Sequence, residues 1–234
     1  KGTMMPSSKT SIAVVIFLLI LFLGTAWFWG KRFYKPPAAK PIPLSVISLA
    51  LDYTPNTNHT GIYVAKKKGY YKEAGIDVNI LPYSGNVSPE VLVSINKADV
   101  GISYTEGVVT AAASGNPVVS LAAIIAHNTS SLVALEDSKI KTPKDLDAKT
   151  YGGFGAPFEN AVISTIIKKN GGKGEFKTVL LDIDGIKALE TKKIDFAWIF
   201  DGWTGIQAKR QGVKLVSFPL VENGIPDYYT PVII

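Results

Sequence analysis

The chain has 234 residues, 47% of them hydrophobic and 19% charged. That suits one large packed domain or two smaller lobes and excludes a disordered or low-complexity chain. The absence of cysteine excludes disulfide frameworks, thiolate metal sites, cysteine nucleophiles and a lipidated cysteine anchor. The net charge of +6 belongs to the N-terminal end, where residues 1–40 hold Lys1, Lys9, Lys31, Arg32, Lys35 and Lys40 and no acid. The remainder balances 19 basic against 19 acidic residues, and a neutral body offers no field for nucleic acid.

Residues 1–10 form a short flank. Residues 11–29 (SIAVVIFLLILFLGTAWFW) are uncharged and almost wholly apolar. As a helix they would reach about 28 Å, one hydrocarbon core. A transmembrane anchor is expected there, with Trp27, Trp29 and Tyr34 at the interface. The competing reading is a signal peptide, but bulky Trp27, Phe28 and Trp29 follow its small Gly24-Thr25-Ala26 stretch. Basic residues after the span, counted alone, favour a cytoplasmic body. Residues 30–43 form a linker whose KPPAAKPIP run (35–43) favours an extended chain.

From 44 onward, strand and helix signals alternate. Residues 45–51 read as a strand, followed by a Pro55-Asn56 turn and a helix over 59–73 that stops at Gly75. A strand over 76–81 precedes a helix from Ser88 to Ile95, where Ser-Pro-Glu puts proline at the first helical position. Then come a strand (99–103), a helix (106–114) closed by Gly115, and a buried strand (118–125). After a strand at 131–135 the alternation resumes: strand 150–154, helix 157–170, strand 178–181, helix 186–191, strand 196–200, helix 203–211 and strand 214–218. Repeated β-α-β units imply mostly parallel sheets covered by helices. Two such runs suggest two lobes with a cleft, where ligands sit outside the carboxyl ends of strands.

The stretch LDYTPNTNHTGIYVAKKKGYYKEAGIDV (51–78) resembles the opening of type 2 periplasmic solute-binding proteins of ABC importers. The resemblance is to their thiamine-pyrimidine-precursor branch, shared with the fungal-type pyrimidine synthase. It rests on an aromatic residue, Pro-Asn, a His three positions on, Tyr-Val-Ala and Lys-Gly-Tyr-Tyr. ADVGISY (98–104), IKTPKDLDAKTYGGFG (140–155) and IPDYYTPVII (225–234) extend it. The resemblance implies an α/β two-lobed fold: lobe one over 44–130, a crossing strand at 131–135, lobe two over 136–228 and a returning strand at 229–234. Relatives then add helices to lobe one, so lobe one is expected to be incomplete at Ile234.

Candidate binding residues lie in the turns after the strands. Tyr53 is placed to stack on a heteroaromatic ring and Asn56 to bond its nitrogens. His59 is a further candidate contact; the competing reading makes Asn56 and Asn58 turn and cap residues and His59 a surface residue. Tyr53 stands where the branch usually carries Trp. Tyr83 and Ser84 are candidate cleft walls, and Ser103, Tyr104 and Glu106 occupy the third strand's end. Gly153 and Phe154, in a Gly-Gly-Phe-Gly turn ahead of a helix, offer backbone N–H groups to a ligand oxygen or form an ordinary junction. Glu159 either faces the cleft or favours the helix dipole. Asp201 is a candidate acceptor for an exocyclic amine. Trp203 is a second ring wall or lobe core, and Tyr228 a ligand contact or hinge residue. The Lys66-Lys67-Lys68 run reads as a solvated helix face. Two histidines without ligand spacing make no metal site.

The resemblance implies a membrane-tethered, extracytoplasmic binding protein that passes a small heteroaromatic ligand, such as hydroxymethylpyrimidine or formylaminopyrimidine, to ABC permease and ATPase subunits. It needs no cofactor and is not an enzyme. Sulfonate, nitrate or riboflavin-type solutes are alternatives, although the cleft turns contain acids and no Lys or Arg. A synthase is disfavoured, because Ser103 and Gly107 stand where the resemblance requires its lysine and histidine. An extracellular sensor domain is the remaining alternative.

Overall fold

The computed structural model describes residues 8–33, 43–85, 87–116, 118–181 and 184–234. It divides into two units, Lys1–Ile42 and Pro43–Ile234. In the first unit the apolar run is helical, α1 being Ser8–Phe33. Its side chains are described over 16–29, about 21 Å of helix, and those from Ile16 to Leu23 are exposed. Among the described residues no helix is long and apolar enough to cross a membrane. Tyr34 and the rest of the expected linker over 34–42 lie outside the described residues, whereas its first residues, 30–33, continue α1.

The second unit runs β1 (Ser45–Ala50), α2 (Thr60–Lys68), α3 (Tyr70–Glu73), β2 (Ile76–Ile80), α4 (Pro89–Ser94), β3 (Val100–Ser103), α5 (Thr105–Ala113) and β4 (Ala122–Ala123). It continues with β5 (Ser130–Leu135), β6 (Thr150–Gly153), α6 (Glu159–Lys169), β7 (Lys177–Leu180) and α7 (Gly185–Glu190). β8 (Phe196–Phe200), α8 (Ile206–Gln211), β9 (Leu215–Pro219) and β10 (Val232–Ile233) complete it. Two five-stranded sheets result, in the orders β2-β1-β3-β10-β4 and β7-β6-β8-β5-β9.

In each sheet half the pairings are antiparallel, so the mostly parallel expectation is corrected. β1 pairs β2 and β3 in parallel, while β10 runs against β3 and β4. β6 pairs β7 and β8 in parallel, while β5 runs against β8 and β9. The strands that carry the chain between sheets, β5 and β10, insert beside the βαβ units rather than extending them. The segments linking the sheets are stitched together: Ile124 N donates to Pro231 O at 2.9 Å. Asp227 accepts from Asn128 N at 2.8 Å, and its other oxygen lies 2.6 Å from His127 Nδ1.

Strand alternation separates two cores around the second sheet. Phe196 and Trp198 face Tyr151, Ile163 and Phe218. Ala197 and Ile199 face Ile186, Leu189 and Ala208. This is the period of two that a strand covered on both faces requires. The first sheet packs Leu49, Leu51, Val78 and Ile102 against Ile62 of α2.

Two further expectations change. The helix over 59–73 breaks at Gly69, whose φ of 83° is left-handed and ends α2. The buried strand over 118–125 reduces to Ala122–Ala123 at a sheet edge, with Val119 and Leu121 exposed. An edge strand has one partner, so its apolar composition does not imply burial.

Candidate functional site

The carboxyl ends of β1, β3, β6 and β8 bring the predicted turns together. Tyr53, after β1, touches Tyr83 at a ring separation of 5.2 Å and Trp203 at 5.6 Å. Trp203 follows β8, so this aromatic cluster joins the two sheets' loops. A second bridge runs from Tyr104, after β3, to Phe158, before α6, at 5.4 Å. Thr57 Oγ1 donates to Gly202 O at 3.1 Å across the same seam. The loops of the two sheets are therefore in direct contact at this seam.

Acids surround this seam. Burial first, then the charges of Glu90, Asp52, Glu106 and Glu159, push the Tyr104 phenol well up. These four carboxylates come from four elements. Tyr83 is raised too, by burial and then by Tyr53 and Asp52. Glu106 accepts a short hydrogen bond from Tyr228 Oη. Burial nonetheless raises its carboxyl above the ordinary value, the Tyr228 bond opposing. Asp201 accepts from Ser131 Oγ at 2.9 Å and is likewise raised, chiefly by burial.

Several predicted residues serve the scaffold instead. Asn56 caps the turn before α2: its Oδ1 accepts from Asn58 N at 2.9 Å and its Nδ2 donates to Thr54 O at 3.0 Å. His59 is no surface residue but fully buried. Its Nδ1 accepts from Asn56 N at 3.2 Å, which leaves Nε2–H to donate to Asp52 Oδ1 at 2.7 Å. This neutral imidazole clamps the loop that carries Tyr53. Glu159 is 1% exposed and accepts from Tyr151 Oη at 2.7 Å, Phe154 N at 3.3 Å and Ala156 N. Of the N–H groups expected to bind a ligand oxygen, that of Phe154 is thus taken by the protein's own carboxyl group. Gly153 permits this, since a Cβ there would lie 2.2 Å from Glu159 Oε2.

Ser103 is buried and donates to Glu90, Ser84 is exposed, and Phe154 is 51% exposed. Glu90 and Phe158 were not anticipated. Glu90 follows Ser88-Pro89 and reads as a first-turn acid, yet it is 5% exposed and turned onto Ser103. Among the described residues no group of His, Cys, Asp or Glu fits a metal ion.

The two-sheet architecture is shared with solved solute-binding proteins. A structure concerned with glutathione import via GshT in Streptococcus mutans matches with a TM-score of 0.61 and 18% identity, over 82% of each chain. The periplasmic aliphatic sulphonate binding protein SsuA from Escherichia coli matches with a TM-score of 0.55 and 17% identity, over 79% of this chain and 60% of that one. These likenesses define the fold as that of type 2 periplasmic solute-binding proteins. A family profile described as NMT1/THI5 like matches residues 56–234, and the chain belongs to that family. The formylaminopyrimidine-binding protein of Halalkalibacterium halodurans is 26% identical over 223 residues, 94% of this chain and 65% of that protein. A 4-amino-5-hydroxymethyl-2-methylpyrimidine phosphate synthase of Saccharomyces cerevisiae is 29% identical over 182 residues, 77% of this chain and 51% of the enzyme. The chain thus spans less than two thirds of the length of either curated relative.

Proposed function

We propose that the protein is the solute-binding component of an ABC importer and captures an amine-bearing heteroaromatic ring of the thiamine-pyrimidine-precursor class. The observation that carries this reading is the aromatic cluster of Tyr53, Tyr83 and Trp203 at the seam of two acid-rich, base-free loop sets. Aromatic rings supply stacking surface, and carboxylates accept from ring amines. Tyr53, Tyr104, Glu106, Asp201 and Trp203 are the proposed contacts, with Tyr83 and Tyr228 beside them. Permease and ATPase subunits are the proposed partners, and lobe closure on the ligand is the signal they receive. The exposed apolar side chains of α1 and the uncharged run over 11–29 favour a single-pass tether; the importer role, set against the basic count after the run, requires the body outside the cytoplasmic membrane.

The synthase reading is weaker. Ser103 and Gly107 stand at the lysine and histidine positions that the resemblance requires, and Ser103 is fully buried against Glu90.

Isothermal titration with formylaminopyrimidine, hydroxymethylpyrimidine, taurine and nitrate tests the proposal. Binding of a pyrimidine, weakened at least tenfold by Tyr53→Ala and by Asp201→Asn, is expected. Binding of taurine or nitrate alone would overturn the ligand class and leave the fold untouched.

A further inference from the structure

A concavity opens along the seam and shares Asn56 and Trp203 with the candidate binding residues. It is a groove of about 490 Å³ whose walls include Pro55, Thr57, Tyr63, Val64 and Lys67 from the first lobe and Trp203 from the second. That volume falls within the range of small-molecule sites. Tyr63 and Val64 are 38% and 45% exposed, so the apolar wall is open to a ligand. Lys67 is the only charged residue in the lining. No ion pair to it occurs among the described residues. Its neighbour Lys66 differs, because its ammonium is spent on Val78 O.

The groove and the cleft therefore have opposite electrostatics. On the cleft side Tyr104 stands among the acids Asp52, Glu90 and Glu106 and the internal Glu159, which repels an anion. The groove presents one uncompensated cation beside exposed ring and aliphatic surface, which attracts one with an apolar body. We propose that the groove is an effector site for a small aromatic carboxylate, its ring against Tyr63, Val64 and Trp203 and its carboxylate on Lys67.

Trp203 makes the site conformational. It is the one lining residue from the second lobe, held in place by the Thr57–Gly202 hydrogen bond and the Tyr53 ring contact. Opening the lobes withdraws that wall. An effector that binds the closed arrangement better must shift the lobes toward it, and a cleft ligand that favours closure must tighten the effector reciprocally. The inference does not depend on which solute the cleft takes.

The test is isothermal titration of the full chain with phenylacetate at millimolar concentration, with phenylacetamide as the uncharged control. Lys67→Glu is compared with Lys68→Glu, which reverses a neighbouring exposed charge outside the lining. Expected is one phenylacetate site, weakened about fivefold or more by Lys67→Glu, by Trp203→Ala and by the amide, and left within twofold by Lys68→Glu. No phenylacetate binding, equal binding of the amide, or equal losses in the two lysine variants would overturn it. Loss of pyrimidine binding alone would fault the cleft reading and leave this one standing.

Discussion

The sharpest test of the site concerns Glu159, which the sequence offers as a cleft acceptor and the structure uses as internal framework. Glu159→Ala removes the acceptor for Tyr151 Oη, Phe154 N and Ala156 N. Tyr151 is fully buried, so its hydroxyl has no route to water, and the Ala156 amide loses its acceptor. Phe154 N, at 3.3 Å beside an exposed side chain, is readily hydrated and adds little. Two orphaned donors at about 1–3 kcal/mol each give an expected loss of about 2–6 kcal/mol. That is a large share of a typical domain stability of about 5–15 kcal/mol. Glu159→Gln keeps an oxygen for Ala156 N and turns its NH2 toward the phenol, leaving Phe154 N to water, at a cost of about 1 kcal/mol. The assay is urea denaturation followed by tryptophan fluorescence, with ligand titration on the protein that remains folded. The expected order of midpoints is wild type, Gln, Ala, with ligand affinity unchanged in the Gln variant. An unshifted midpoint in Glu159→Ala together with lost affinity would refute the argument and return this carboxylate to the cleft.

Glu106 carries a pH signature. Its folded-state carboxyl lies above the ordinary value of 4.5, so its contribution to stability is fully present below that value and is lost as pH rises through the folded value. Glu106→Gln removes this loss, and its stability relative to wild type should increase from pH 4 toward neutrality in urea titrations. A constant difference across that range contradicts the burial argument. Gly69→Ala places a side chain at φ +83° with open space around it, so only backbone strain is felt. An expected loss of about 1 kcal/mol should appear in the denaturation midpoint, and no change would mean the left-handed turn relaxes.

The framework was legible where local chemistry suffices. The unbroken apolar run at 196–199 fits a strand covered on both sides, and Ser88-Pro89 marks the start of α4 through a cap and a fixed φ. What escaped depends on distant partners. Apolar composition over 118–125 does not distinguish a central strand from an edge. The carboxylates were the harder case. Glu159 and Glu106 both open helices just after a strand, yet one is consumed by its own loop and the other meets Tyr228, 122 residues away. The seam itself joins Thr57 to Gly202 across 145 residues, and no local pattern encodes that pairing. His59 was visible as part of a motif, but its role as a buried clamp follows only once Asp52 and Asn56 are seen on either side of its ring.

The remaining cleft acids share a pattern that bears on how a ligand would act. Glu90, Glu106 and Asp201 each have one hydroxyl donor: Ser103, Tyr228 and Ser131 respectively. One neutral donor does not offset burial, which is why Glu106 and Asp201 remain raised despite their bonds. Closing the lobes around such groups costs free energy unless a further donor arrives. Under the proposed function an amine-bearing ring supplies that donor, with Tyr53 and Trp203 parting to take its faces, whereas an anion supplies none and adds repulsion. Discrimination would then rest less on any one contact than on carboxylates left short of donors, which make closure favourable only around the right chemistry.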